Sequence, residues 1–388
     1  MSLEQYKELA KQEQHEVPKS FIPKIIYSFK LLSQFLLYSK NTELEKALIQ
    51  DEETFTSDIT NTYSFIDDVE NVGKLFGIKV PHPLSTQLNN SSLSNEIITN
   101  LESKINETPV LVFIHGLGGN FQQFDEIIKE FAGITDIFAI DLPGSGRSQD
   151  INSNFKLTLD NFVEVVHKQL ESNGYIGRDI VLIGHSYGTQ VILKLNTVIP
   201  NVKSLILLAP PKIPLIRTKK EKFFLGLFAR LPILFEFFRK LDRLNNIKSI
   251  SMGRLFHNED TSDFLKFKQF RFNLLTNSSN FIKHAKNWIP LSVSDALESS
   301  QIIEQNHGKI LIIDASDDKL TKRGGSTYYD LIGSGVSTYE VLENSGHNFI
   351  LESYKSLNLI LAKFLSNLNP NLSKNHIDDV RSQIANEQ

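Results

Sequence analysis

Five short apolar runs rich in β-branched residues recur along the chain and leave few folds open to it: Val110–Ile114, Ile137–Ile140, Ile180–Ile183, Leu205–Leu208 and Ile310–Ile313. Short continuous apolar stretches of this kind read as strands buried on both faces. Segments of helical length separate most of them, among them Leu159–Ser172 and Gln190–Val198. Strand alternating with helix predicts an α/β chain whose mostly parallel sheet is flanked by helices. From Pro210 to about Gln305 the rhythm stops, and the patterns are helical and dense in Phe, Leu, Lys and Arg. A helical cap inserted between two strands is expected there. A last run, Tyr339–Leu342, precedes a closing helix expected over Leu357–Leu368. The expected division is a leader with an amphipathic helix over 1–104, a first core part over 105–210, the cap over 211–304, a second core part over 305–370 and a tail over 371–388.

The run Gly184-His185-Ser186-Tyr187-Gly188 follows the third strand directly and opens a helical segment. Glycines two before and two after the serine let strand and helix approach closely, so that Oγ projects above the sheet. A serine hydroxyl is not nucleophilic at neutral pH. It needs a base within hydrogen-bond reach, and the base needs an acid to hold its tautomer. His347, in Ser345-Gly346-His347-Asn348 after the last strand run, is the expected base. The acid is expected among Asp314, Asp317 and Asp318, which follow the Ile310–Ile313 run. For the developing oxyanion, Tyr187 offers a backbone N–H from the elbow and Leu117 another from the loop His115-Gly116-Leu117-Gly118-Gly119. That loop lacks both the Lys-Ser/Thr ending of a P-loop and the G-x-G-x-x-G spacing of a dinucleotide site. The loop Asp141 to Ser148 reads as supporting structure. Gly184 and Gly188 are expected to support the elbow, as His115 and Gly116 support the anion loop.

Composition removes several other chemistries. Cysteine is absent, which excludes disulfides, thiolate metal sites and a cysteine nucleophile. The ten histidines are scattered without an H-x-x-x-H or H-E-x-x-H pair, so no metal and no cofactor is expected. A net charge of -4 provides no overall attraction for nucleic acid. The start, Met1–Glu16, is polar and of mixed charge, unlike a secretory signal. Phe21–Tyr38 is apolar and aromatic, but Pro23, Lys24 and Lys30 interrupt it. A helix lying on a surface is expected there rather than a membrane span. The ending Asn386-Glu387-Gln388 matches neither a peroxisomal address nor a prenylation box, and an intracellular location is expected.

With these residues assembled, the chain resembles the α/β-hydrolase superfamily and, within it, the fungal lipid droplet hydrolase family. The more specific resemblance lies in Gly116–Phe124, Asp141-Leu142-Pro143-Gly144, Leu205–Lys212, Leu231–Phe235 and Lys266–Phe270, covering roughly 108 to 350. It implies the α/β-hydrolase fold, esterase and triacylglycerol lipase activity, a part in neutral-lipid and phospholipid balance, and residence on lipid droplets. Superfamily members commonly show G-x-x-D-x-L/V at the strand end before the acid. Ala315-x-x-Asp318-x-Leu320 overlays that pattern and selects Asp318, with Asp317 as the alternative and Asp314 as a strand-end residue. The chain departs from the family's best-known member in lacking a Ser-Lys-Leu ending, and in His115 and Tyr187, where that member varies.

The cap segment has a lipid-facing character of its own. Between Lys212 and Arg243, Arg217, Lys219, Lys220, Lys222, Arg230, Arg239 and Lys240 interleave with Phe223, Phe224, Phe228, Phe235, Phe237 and Phe238. A basic amphipathic surface helix and plain packing of the cap on the core both fit this pattern. Two other functions fit the constellation: acyl transfer to a lipid alcohol, and a catalytically silent scaffold. The H-x4-D signature of such transferases is missing, since Glu352 stands at the corresponding spacing after His347. Dehalogenase and epoxide hydrolase chemistry would need Asp at position 186.

Overall fold

The buried apolar runs pair into one eight-stranded sheet in the computed structural model, which describes residues 1–13, 22, 23, 26, 41–89, 93–257 and 261–387. The strands are β1 (Ser64–Val69), β2 (Gly73–Val80), β3 (Val110–Ile114), β4 (Ile137–Ile140), β5 (Ile180–His185), β6 (Val202–Leu208), β7 (Lys309–Ala315) and β8 (Ser337–Leu342). They lie in the order β1-β2-β4-β3-β5-β6-β7-β8. β4, β3, β5, β6, β7 and β8 run parallel, while β1 and β2 form an antiparallel edge.

Every residue of β3, β4 and β5 is buried. Burying each such Val, Ile, Leu or Phe side chain contributes about 1.5–3 kcal/mol, which is why these segments carry almost no polar residues. β1 and β2 precede the first run legible in the sequence, for opposite physical reasons. β1 alternates exposed and half-buried positions and carries Asp67 and Asp68, as an edge strand can. β2 is broken up by Gly73, Lys74, Gly77 and Lys79. Gly77 is required by space, because a Cβ there would lie 2.5 Å from the Ala139 carbonyl oxygen on β4.

The helix expected over Gln190–Val198 spans Tyr187–Leu195 and so starts immediately after the candidate nucleophile. Gly188 and Thr189 give no helical pattern of their own; Gly188 is required because this first turn lies against β3. The closing helix runs over Tyr354–Leu368, three residues longer at its start than expected. Between β6 and β7 the chain is helical, as expected for an inserted cap, with helices at Lys219–Arg230, Pro232–Arg243, Ile250–Leu255, Asp263–Leu275, Ser278–Asn287 and Val293–Gln305. Thr218 and Glu221 form a capping box at the first of these, and Pro232 occupies the first turn of the second.

The cap is fastened to the core through a buried ion pair, Lys268 Nζ to Asp125 Oδ2 at 2.7 Å. Removing one partner of such a pair leaves an uncompensated charge in the interior, so the contact sets the seating of the Asp263–Leu275 helix. On the same helix, Phe267 packs against Tyr6, which also meets Phe55 and draws the N-terminal helix Leu3–Gln12 onto this cap element. Apart from Ile22, Pro23 and Ile26, the Phe21–Tyr38 segment lies outside the described residues. Among the described residues no helix is long and apolar enough to cross a membrane.

Candidate active site

The parallel register aligns the carboxyl ends of the central strands: Ile114 faces Gly184, His185 faces Leu208 and Ala315 faces Leu342. The segments leaving β3, β5, β7 and β8 therefore emerge along one edge, where ligands of open parallel sheets bind. Ser186 leaves β5 at φ 54° and ψ -119°, a left-handed conformation that a residue with a side chain adopts only when its surroundings enforce it. Both flanking glycines are part of that enforcement. A Cβ on Gly184 would lie 2.6 Å from the Gly188 carbonyl oxygen, and one on Gly188 would lie 2.2 Å from that of Ile114. The Ser186 N–H donates to the Leu208 carbonyl at 2.8 Å, and Thr189 returns its hydroxyl to the Ser186 carbonyl at 2.6 Å. Tyr187 is the first helical residue, so its N–H has no acceptor within the helix.

The loop after β3 presses on the elbow, since a Cβ on Gly116 would stand 2.9 Å from that of Ser186. Leu117 follows, beside Gly118 at φ +70°. His115 anchors this loop from beneath. Its Nε2 accepts the Leu142 N–H at 2.9 Å and its Nδ1–H donates to the Gly116 carbonyl at 2.7 Å. Asp141 adds a second clasp, accepting the N–H of Phe121 at 2.8 Å and of Arg147 at 2.7 Å. Cap residues roof the loop: the Thr276 hydroxyl donates to the Gly118 carbonyl at 3.3 Å, and the Phe281 ring lies directly over Gly118.

His347 is buried in the loop after β8, and its Nδ1 lies 2.7 Å from Asp318 Oδ2. Its ring centroid is 4.9 Å from that of His185, the residue before Ser186, and the His185 Nε2–H donates to the His347 carbonyl at 3.0 Å. Asp318 also receives the N–H of Leu320 and both N–H and hydroxyl of Thr321, at 2.7, 2.9 and 2.6 Å. Burial raises the proton affinity of this carboxylate, but the hydrogen bonds from His347 and Thr321 outweigh it and hold its pKa at about 2. The other two aspartates are directed elsewhere. Asp317 lies 3.0 Å from His257 Nδ1, on an exposed side of the loop. Asp314 accepts the Gly325 and Ser326 N–H groups and the Tyr339 hydroxyl, capping the helix Gly325–Ile332. With its Nδ1–H committed to Asp318, the His347 ring keeps its basic lone pair on Nε2.

Tyr187 points its ring into the core, against Phe162, His284 and Trp288 at 6.2, 4.5 and 5.1 Å between centroids. Trp288 in turn donates its Nε1–H to Gln190 of the elbow helix at 2.7 Å. No local pattern marks His284 or Trp288 as neighbours of the elbow; the contact exists because the cap folds back. Burial holds four imidazoles neutral, pushing His82 and His115 down to about 4 and His185 and His284 down to about 3. Depressed rings contribute stability above the unfolded value of 6.5 and lose it as pH falls toward the folded value. Each ring should cost about 2 kcal/mol at pH 5. Asp141, held up to about 7 by burial, titrates the opposite way and offsets part of this. The urea midpoint should therefore fall clearly between pH 7 and pH 5; an unchanged or rising midpoint contradicts the assignment of neutral buried rings.

The alpha/beta hydrolase fold family matches residues 109–354, and the chain belongs to it. Its curated relatives include proteins named Lipid droplet hydrolase 1 and Putative esterase/lipase 2. Over 259 residues it is 27% identical to Lipid droplet hydrolase 1 of Saccharomyces cerevisiae, covering 59% of this chain and 68% of that protein. Among solved structures it is similar to a carboxylesterase of the Thaumarchaeon Nitrososphaera gargenis, at TM-score 0.57 and 18% identity over 79% of this chain and 100% of that one. A similar likeness holds to an esterase of Exiguobacterium antarcticum, at TM-score 0.55 and 17% identity over 78% of this chain and 99% of that one.

Proposed function

We propose that the chain is a serine esterase acting on carboxylic esters of lipids through Ser186, His347 and Asp318. The observation that carries this reading is the 2.7 Å His347–Asp318 pair seated against a strained Ser186 elbow. His347 Nε2 takes the proton as Ser186 Oγ attacks the ester carbonyl, and the Leu117 and Tyr187 N–H groups receive the oxyanion. The protonated ring then returns the proton to the departing alcohol, leaving an acyl-serine. Water, deprotonated by the same ring, releases the acid. A fluorophosphonate probe should add to the protein once, with the adduct on the peptide bearing Ser186; absence of labelling would leave only a silent scaffold.

A lipid ester is favoured by the aromatic roof, in which Phe281 over Gly118 stacks on Phe235 at 5.6 Å and Phe235 meets Phe228 at 5.4 Å. The outer cap helices divide the phenylalanines between packing and exposure. Phe223, Phe238 and Ile233 are 65%, 50% and 74% exposed, beside exposed Lys219, Lys220, Lys222 and Arg230. Arg239 is turned inward, donating to the carbonyls of Thr276 and Asn273. This face, with Phe21–Tyr38, is proposed to rest on a lipid droplet or membrane surface inside the cell, with a role in neutral-lipid and phospholipid balance. Replacing Phe223 and Ile233 by Asp should abolish co-flotation with phospholipid-coated triolein droplets while activity on a short soluble ester persists.

Water rather than a lipid alcohol is favoured as acceptor by the placement of Glu352. Its carboxylate receives the Gly346 N–H, the His257 N–H and the Thr261 hydroxyl, and so braces the histidine loop.

A further inference from the structure

Two loops and the cap meet at a buried amide that the reaction itself does not use. Gln269 lies on the cap helix Asp263–Leu275 and is 3% exposed. Its Oε1 accepts two hydrogen bonds, from Gln123 Nε2 at 3.1 Å and from Asn348 Nδ2 at 2.6 Å. Its Nε2 donates to Asn273 Oδ1, one turn further along the same helix, at 2.9 Å. The two donors come from opposite sides of the candidate catalytic centre. Gln123 belongs to the turn Phe121–Phe124 that continues the anion loop, and its own Oε1 lies so close to Gly119 that a Cβ there would stand 2.4 Å from it. Asn348 is the residue after His347, is fully buried, and ties its N–H to the Leu255 carbonyl of the cap at 2.8 Å.

We propose that Gln269 is a positioning residue: one carbonyl oxygen on the cap sets the separation between the loop that carries Leu117, one of the two proposed oxyanion donors, and the loop that carries the base. This rests on the triad reading given above. A carbonyl oxygen has two lone pairs, and both are engaged here, so the side chains of Gln123 and Asn348 converge on one point. Apolar packing at this place would fill the same volume without prescribing that distance, and would strand two buried amide donors. The neighbouring Lys268–Asp125 pair fixes the same helix to the core beside Gln123, so the amide is held by a seated element rather than by a mobile one. The oxyanion forms between two donors and a base that must agree to a fraction of an ångström, and a displacement of about 1 Å costs roughly a hundredfold in rate. Cap and catalytic loops are thereby joined through a hydrogen-bonded junction as well as through the roof.

The test compares Gln269→Met, Gln269→Glu, Gln123→Met and the double methionine variant in the full chain, with p-nitrophenyl butyrate as substrate. Gln269→Met and Gln123→Met should each lower kcat by about tenfold to a hundredfold with KM within about threefold. Gln269→Glu, whose neutral acid keeps one accepting oxygen and one donor in the same places, should recover most of kcat. The double variant should be no slower than the slower single, since both remove the same contact. Wild-type kcat in Gln123→Met, or losses that multiply in the double variant, overturns the proposal. If Gln269→Met fails to give a cooperative melt, Gln123→Met decides alone, because it leaves the Gln269–Asn348 bond in place. Ser186→Ala is measured alongside: retained activity there defeats the triad reading itself, whereas its loss combined with normal kcat in Gln123→Met defeats only the positioning role.

Discussion

Ser186→Ala should lower kcat on p-nitrophenyl esters by about a millionfold while leaving the melting temperature near that of the parent chain. The size of the loss follows from the chemistry proposed for this side chain. Without Oγ no acyl-enzyme forms, and His347 and the two N–H donors have only water to direct at the carbonyl. The folded state should tolerate the change, because the elbow is shaped by Gly184, Gly188 and the Ser186 backbone bonds to Leu208 and Thr189, all of which remain. Removing a side chain held at φ 54° does not remove the strain, which resides in the Cβ that alanine keeps. Activity within tenfold of the parent, measured on the purified variant after titration with a fluorophosphonate, would falsify the assignment.

Asp318→Asn should cost about ten-thousandfold in kcat at pH 7, and Asp317→Asn should stay within about twofold. The asparagine amide can donate to His347 Nδ1, which favours the tautomer with the proton on Nε2, where it blocks the attack. Asp318 already accepts from Leu320 and Thr321, so its two oxygens leave the new amide little freedom to turn away. Asp317 shares the loop but faces His257, 3.0 Å away and remote in role from the elbow. Comparable losses in both variants, or a larger one in Asp317→Asn, would show that the acid has been misassigned between neighbours.

The central strands were legible because continuous burial leaves a chemical trace: β3 and β4 coincide residue for residue with apolar runs, and β5 to β8 extend theirs by only a few positions. β1 and β2 left no such trace, since one is half solvated and the other is interrupted by the glycine that β4 requires. The elbow could be read from local chemistry alone, as Gly184 and Gly188 are demanded by contacts within a few residues and with one adjoining strand. His347 and Asp318 needed the fold as intermediary, and choosing among three aspartates needed a superfamily pattern rather than any property of the segment. Gln269, His284, Trp288 and Asn348 carry no signal of this kind. Their significance comes from the cap folding back over the sheet edge, a relation between segments whose distance along the chain hides it. The phenylalanines of the outer cap divide in the same way, since the sequence shows an amphipathic composition and only the packing separates Phe235 from Phe223.

The cap enters the chain after the strand that leads to Ser186 and leaves it before the strand that leads to Asp318, while β6 and β7 pair directly across that interruption. Selection can therefore lengthen, shorten or recolour the outer inserted helices, provided the helix that carries Lys268 and Gln269 keeps its contacts with Asp125, Gln123 and Asn348. What reaches the proposed centre and what the proposed centre does would then be inherited as nearly separate traits, and the junctions where helix meets loop are the places at which the two must still evolve together.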